Sequence, residues 1–246
     1  MSNIRVKYID HMGNDLSICN AARISMNDEA DNYSMQDNIK LLHYLARGMS
    51  TASFNSLLLD VNCTSSEEEL YSLMREYRGT SIHWTPFAHT CISIGVTAPI
   101  PIRTQCFKHK FGFVENEESR RYVTYMPELF NPDYIRAKAA NIKQGSAGKH
   151  ENNDRLHELY SAMVNEAVNN YEYLLEEGVC PEQARLVLPQ GAMVNWVWTG
   201  SLFAFARFYR ARTDSHAQAE IRELAEKVRE IIEPLYPEAW KALTSY

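Results

Sequence analysis

From Thr90 to Ala98 the chain reads TCISIGVTA, with Ile92, Ile94, Val96 and Ala98 at alternate positions. A period of two places those four side chains on one face of a β-strand, and such a face must be buried against other elements. The strand therefore needs partner strands and a covering layer. IRVKYI (4–9) alternates in the same way, and NSLLLDVNC (55–63) reads as a further strand. Pro99 and Pro101 are expected to hold the next stretch extended, because the residue before a proline avoids the helical region.

Helical periodicity supplies the covering layer. Met35, Ile39, Leu42 and Leu45 share a helix face that Gly48 closes. SSEEELYSLMREYRG (65–79) opens with Ser66 and Glu69 at capping-box spacing. Residues 154–177 carry Leu156, Leu159, Tyr160, Met163, Val164, Ala167, Tyr171 and Leu174 as an apolar stripe stopped by Gly178. A last helix from Asp214 or Ser215 is expected to bury Ile221, Leu224, Val228, Ile231 and Leu235. Between these, the polar stretch 141–153 has no period and reads as a loop. The elements specify an α+β fold: a single domain over residues 1–246, with a central antiparallel sheet in the first half and flanking helices that dominate the second.

With 246 residues, 45% hydrophobic and 23% charged, the chain can bury a full core, which excludes disorder for its bulk. A net charge of −6 argues against a dedicated duplex-DNA binder. Cys19, Cys63, Cys91, Cys106 and Cys180 are odd in number and scattered, with no CxxC, as expected of free thiols in a reducing compartment. The N-terminal stretch lacks the apolar segment of a signal peptide, and no run of about 18 apolar residues is present to span a membrane. A cytoplasmic protein with no membrane and no nucleic-acid partner is expected.

No GxGxxG, GxxxxGK[ST] or GxSxG motif occurs, so a bound nucleotide must have its phosphates held by arginine and lysine side chains. Residues 103–125, RTQCFKHKFGFVENEESRRYVTY, gather such cations: Arg103, Lys108, His109, Lys110, Arg120 and Arg121. Composition alone leaves two readings open, a phosphate site and a solvated charged loop. The order of residues is more informative. Gln-x-Phe-Lys-His-Lys followed by Asn-Glu-x-Ser-x-Arg-Tyr resembles the signature of the flavin-dependent thymidylate synthases, which show Arg-His-Arg, seven residues, then Ser. Here Lys108 and Lys110 replace the arginines, and eight residues separate Lys110 from Ser119. AARIS (21–25), HWTPFAH (83–89), ARLVLPQG (184–191), WTGSL (198–202) and ARTDSHAQAEI (211–221) resemble further blocks of that family, in order.

The resemblance implies methylation of dUMP at C5 to dTMP for thymidylate synthesis. Methylenetetrahydrofolate would give the carbon, and FAD, recharged by NADPH, the hydride. It also implies a homotetramer whose active site draws on several subunits. Arg212 matches the arginine held against the pyrimidine, where a permanent cation stabilises charge developing on N3, O2 and O4. Its purely structural alternative is a helix-terminal arginine paired with Asp214. Arg121 and Arg185 match residues that grip the nucleotide's phosphate and sugar, and Gln105, Lys108, Glu117, Glu118, Ser119 and Arg120 fall in the same set. Ser119 is expected to hydrogen-bond, since no His-Asp pair accompanies it as a nucleophile. Folate-only thymidylate synthases need a cysteine nucleophile, and nothing around the cysteines here suggests one.

Ser25, His83, Thr85, Lys108, His109, Lys110, Glu117, Ser201, Arg207 and His216 map to the flavin side by the same resemblance. Lysine keeps the charge of the replaced arginines but gives up the planar fork. Ser201 and Phe203 stand where the family often has Asn and Arg, and Arg207 where it often has Asn. His216 either covers the flavin or caps the last helix. Trp196, Trp198, Phe205 and Phe208 read as core or subunit contacts. Three rival readings remain. His83, His89, Cys91, Cys106 and His109 lie within 27 residues, a soft-ligand cluster whose spacing fits no common zinc finger. A nucleic-acid module using residues 103–121 runs against the acidic balance. A related flavin and folate enzyme could methylate or hydroxymethylate another pyrimidine nucleotide.

Overall fold

The computed structural model describes residues 2–27, 33–48, 52, 55–56, 82–139 and 145–245. Four strands form one antiparallel sheet in the order β1-β2-β4-β3: β1 (Arg5–Met12), β2 (Cys91–Pro99), β3 (Phe113–Glu117) and β4 (Met193–Gly200). The β2–β4 register is marked by side-chain pairs on one face. Ser93 and Thr199 hydroxyls meet at 2.8 Å, and Thr97 donates to Asn195 Oδ1 at 2.7 Å. On the opposite face Ile92, Ile94, Val96 and Ala98 are fully buried, as the alternation requires. Each large apolar side chain so buried contributes roughly 1.5–3 kcal/mol relative to exposure.

The chain divides into two compact units. The first comprises Met1–Ile9, Ser93–Thr199 and Phe208–Val228, and the second Asp10–Ile92, Gly200–Arg207 and Arg229–Tyr246. In the first unit, Pro99 ends β2 in an extended conformation, but the helix α4 (Ile100–Cys106) follows at once with Pro101 in its first turn. The expected extended stretch is thus confined to Pro99, because a helix's first N–H groups have no intrahelical partner and proline loses nothing there. The long helix α5 (Asn153–Glu176) matches the periodic segment, yet of its stripe only Tyr171 is fully buried, and Leu159 and Met163 are 52% and 62% exposed. It packs on the short turn α6 (Pro181–Ala184) and on the 3-10 turn Arg185–Val187.

In the second unit, α1 (Asp15–Arg23) and α2 (Met35–Arg47) are both opened by capping boxes, from Asn14 with Ser17 and from Ser34 with Asp37. Gly48 closes α2 in the left-handed region at φ 73°, the role its position predicts. The short turn α3 (Thr85–Ala88) precedes β2. A helix absent from the periodic reading, α9 (Pro237–Thr244), packs on α2. Two helices have residues in both units: α7 (Leu202–Arg212) and α8 (Ala219–Ile232). The α8 stripe runs through Ile221, Leu224, Val228 and Ile232, so Ile232 takes the place expected of Ile231, and Leu235 lies in the turn beyond the helix.

Of the strand read over 55–63, Asn55 and Ser56 are helical, and the remainder lies outside the described residues. So does the helix of 65–79, with Ser66 and Glu69, and Cys63. The four described cysteines carry free thiols. No helix among the described residues is long and apolar enough to cross a membrane, and no three His, Cys, Asp or Glu side chains among them converge to hold a metal ion.

Candidate active site

Helix α7 ends on Arg212, one turn after the fully buried Phe208 on the same face. The turn after α4 lays His109 against both. Its ring meets Phe208 edge to face at 5.2 Å, and its Nε2 accepts the Arg212 Nε–H at 2.9 Å. Phe208 is itself edge-on to Trp198, which stacks on Phe113 at 4.4 Å, so an aromatic ladder from β3 and β4 supports the imidazole. Arginine Nε can only donate, so this His109 nitrogen is the acceptor and the ring is neutral with its proton on Nδ1. Arg212 Nη2 also donates to the Gln105 carbonyl at 3.4 Å. Its partners are thus His109 and Gln105, from a segment remote in sequence.

Arg212 and Gln105 line a cavity of about 620 Å³, together with Arg136, Ser146, Ser215, His216, Gln218 and Arg222. His216 is exposed, with its backbone N–H and ring Nδ1 both within 3.0 Å of Asp214 Oδ1. It therefore lies in the turn before α8, whose first helical residue is Ala219.

A second cavity of about 410 Å³ is lined by Arg103, Glu117, Glu118, Ser119, Arg120 and Arg185, over an apolar floor that includes Met193 and Val194. Arg103 grips Glu117 with two contacts, at 2.9 and 3.2 Å. Burial raises the Glu117 carboxyl above its ordinary range, and Arg103 works against that shift. Glu118 accepts from Tyr125 Oη at 2.6 Å and from Asn195 Nδ2 at 3.0 Å. Arg120 is buried; it donates to the Tyr125 carbonyl and lies over the Tyr125 ring at 4.6 Å. Arg121 is exposed and paired with Glu182 at 2.7 Å.

The remaining candidates fall into two groups. Lys108 and Lys110 are exposed on the turn beside His109, and Lys110 pairs with Glu115. Ser25, His83, Thr85, Ser201 and Arg207 belong to the second unit. There His83 stacks on Tyr44 at 5.6 Å, and Trp84 stacks on Phe203 at 5.8 Å. Arg207, one turn further along α7, holds its guanidinium 5.7 Å from the same Phe203 ring. Ser201 Oγ accepts from Ala204 N at 3.2 Å, and Ser25 is exposed and donates to the Ala22 carbonyl. Trp196, Trp198, Phe205 and Phe208 are buried core.

The sequence profile of the family described as thymidylate synthase complementing protein matches residues 7–238. The chain belongs to this family. Among its relatives, a flavin-dependent thymidylate synthase of Thermus thermophilus is 30% identical over 241 residues, covering 98% of this chain and 76% of the relative. One from Thermotoga neapolitana is likewise 30% identical and covers 98% and 91%. A solved structure of a UMP/dUMP methylase, PolB from Streptomyces cacaoi bound with 5-Br dUMP, is 25% identical with a TM-score of 0.78, over 99% of this chain and 96% of that one. The same enzyme bound with 5-Br UMP gives a TM-score of 0.73.

The contacts around the two cavities bring in residues that the sequence reading did not single out. Arg136 comes from a ribbon in which residues 136 and 149 are bridged, and Glu220 and Arg222 from the first turn of α8. Tyr125 and Asn195 hold Glu118. The SHAQAEI block contained Gln218 and Glu220 all along, but only their contacts reveal a role.

Proposed function

We propose that the protein methylates dUMP at C5 to give dTMP in the cytoplasm, with methylenetetrahydrofolate as carbon donor and FAD, reduced by NADPH, as hydride carrier. The observation that carries this reading is Arg212 fixed at a cavity rim by His109 and Gln105. C5 of uracil is a weak nucleophile until negative charge gathers on O4 and O2. A guanidinium already oriented there stabilises that charge without reorganising. The methylene carbon would bond to C5 and part from the folate nitrogen, the C5 proton would be released, and a hydride would reduce the methylene to methyl with tetrahydrofolate as the leaving product. Cys106 is the cysteine nearest Gln105 in sequence, and burial pushes its thiol pKa up, which suits a core side chain and not a nucleophile.

Bound FAD supplies the hydride. The residues present fit a dinucleotide: Lys108 is an exposed cation, Arg207 extends a guanidinium over Phe203, and His83 and Thr85 are exposed polar groups. Lys108 and Lys110, with His109, Glu117 and His216, form the first unit's share of the residues proposed to hold it, and Arg207, with Ser25, His83, Thr85 and Ser201, the second unit's share. Arg207, one turn along α7, would supply the charge that Phe203 lacks.

Most of the nucleotide set is divided between two cavities: Gln105 and Arg212 line one, and Glu117 to Arg120 with Arg185 line the other, while Lys108 and Arg121 line neither. A homotetramer in which the halves come from different subunits accounts for that division and for the exposed Leu159 and Met163 of α5. Mixing Arg212→Ala and Arg185→Ala proteins, each inactive alone, is expected to restore turnover in mixed tetramers. The activity itself is tested by flavin absorbance of the purified protein and by dTMP formation. Arg212→Ala is expected to keep the flavin and lose turnover, whereas near-normal turnover contradicts the assignment. A second reading, methylation of UMP, is favoured by the likeness to the UMP/dUMP methylase, and product analysis with both nucleotides decides it.

A further inference from the structure

We propose that Arg222 and Arg136 anchor the glutamate tail of the folate co-substrate, and that the ribbon carrying Arg136 extends this anchor into a cationic track for a poly-γ-glutamate chain. The proposal rests on the reading above that methylenetetrahydrofolate is the carbon donor, and it concerns two arginines to which that reading gives no part.

The cavity of about 620 Å³ has three guanidinium groups on its wall, from Arg136, Arg212 and Arg222, and no Asp or Glu among the described residues that line it. A concave wall carrying one sign of charge concentrates the opposite sign within it. Arg212 is held by His109 and Gln105, and the uracil ring accounts for it. Arg222 is exposed in the first turn of α8 and has no ion pair among the described residues. Arg136 is fixed to the same turn by the buried Glu220, whose two oxygens lie 2.6 and 2.8 Å from its Nη2. That pair orients the Arg136 guanidinium and cancels one charge, which leaves the charge of Arg222 for a ligand.

The reaction decides which anion belongs there. The carbon donor must bring its methylene to C5 of the base, so it shares the cavity in which Arg212 meets the base. Its rings carry no negative charge. Its carboxylates sit on the glutamate at the far end, and a planar guanidinium matches a carboxylate. NADPH delivers its hydride to the flavin, so nothing requires it to lie beside the nucleotide. The positive charge continues beyond Arg136. Arg136 is bridged to Lys149, which sets both side chains on one face of the ribbon, and the exposed Lys138 follows two residues on. Lys149 is paired only loosely, 4.0 Å from the carboxylate of Asp154. Each further γ-linked glutamate adds a carboxylate for this track.

Binding is measured calorimetrically, without oxygen, on flavin-loaded protein saturated with dUMP. The ligands are the neutral methylamide of tetrahydropteroate, tetrahydrofolate and tetrahydropteroyltriglutamate, which carry no, one and three glutamates. The wild type is expected to gain about fivefold in affinity at each step, and to lose that gain in high salt. Arg222→Gln is expected to remove most of the gain while binding of the methylamide and of dUMP stays unchanged. Arg136→Gln combined with Glu220→Gln, which leaves no buried charge unpaired, is expected to act in the same direction. Equal wild-type affinity for the three, or an Arg222→Gln protein that loses the methylamide to the same degree, overturns the proposal and leaves the folate reading intact. Weaker NADPH binding in Arg222→Gln, with NADH and the folates unaffected, assigns the arginine to a phosphate and overturns it as well. A dUMP-saturated wild type that binds none of the three pterins overturns the folate reading along with the proposal.

Discussion

The Arg212 Nε–H is donated to His109 Nε2 at 2.9 Å, across 103 residues of sequence. The contact requires a neutral imidazole, because a doubly protonated ring has no acceptor and would place a second cation against the guanidinium. His109→Phe keeps a ring to pack on Phe208 but removes the acceptor. Turnover is expected to fall about 10- to 100-fold with little change in KM for dUMP, as for loss of a group that orients a transition-state stabiliser. His109→Gln, which retains an acceptor, should recover most of that turnover. A His109→Gln protein as slow as His109→Phe, or a His109→Phe protein whose loss lies in KM for dUMP, contradicts the positioning role.

Glu117 gives a stability prediction of defined sign. Burial raises its folded-state pKa. A carboxyl raised in this way favours folding below its unfolded pKa and loses that contribution as pH rises through the raised value. Glu117→Gln removes the cost of the buried charge and still offers Arg103 an oxygen. Thermal melts are expected to show the variant more stable at neutral pH by under about 1 kcal/mol, with the gain shrinking toward about pH 4. A variant less stable than the wild type by the same margin at both pH values shows that the Arg103 pair outweighs burial.

The described cysteines should separate by reactivity. Cys180 is exposed, whereas burial pushes the Cys19 thiol up to about 11 and raises Cys106 as well. In native protein iodoacetamide is expected to label Cys180 rapidly and to leave Cys19 and Cys106 unmodified until denaturant is added. Labelling of Cys106 in native protein, read by peptide mass spectrometry, contradicts its burial.

Ile94 is fully buried on the apolar face of β2. Ile94→Ala is expected to cost about 2–5 kcal/mol through lost transfer energy and the cavity left behind. Urea unfolding provides the check, and a change below about 1 kcal/mol would mean that the site collapses to fill the space.

Elements whose cause is local were legible in the sequence. β2 was readable because alternation puts Ile92, Ile94, Val96 and Ala98 on one face whatever covers them. The α2 end was readable because Gly48 adopts the left-handed conformation its position calls for. β4 was not. Val194, Trp196, Trp198 and Gly200 are buried at alternate positions, but the apolar Met193 and Val197 at the other parity mask that period in the sequence. The α5 stripe was visible as a period, but Leu159 and Met163 stay exposed in the protomer, since periodicity says which face is apolar and not what covers it.

The same division holds at the site. Order and residue type alone singled out Gln105, His109 and Arg212 as candidates, and supplied the family resemblance. Only the tertiary structure placed the Arg212 guanidinium on His109 and joined Gln105 to Gln218, 113 residues away. It also brought Asp15 to cap the start of α9, where Asp15 accepts from Glu238 N at 2.9 Å and from Ala239 N at 3.0 Å. A cap, an acceptor for arginine or a partner for an amide can come from anywhere in the chain that folding brings within about 3 Å. Helix and strand periods are fixed by neighbouring dihedrals and can be read along the sequence, whereas hydrogen-bond partners are fixed by packing and cannot.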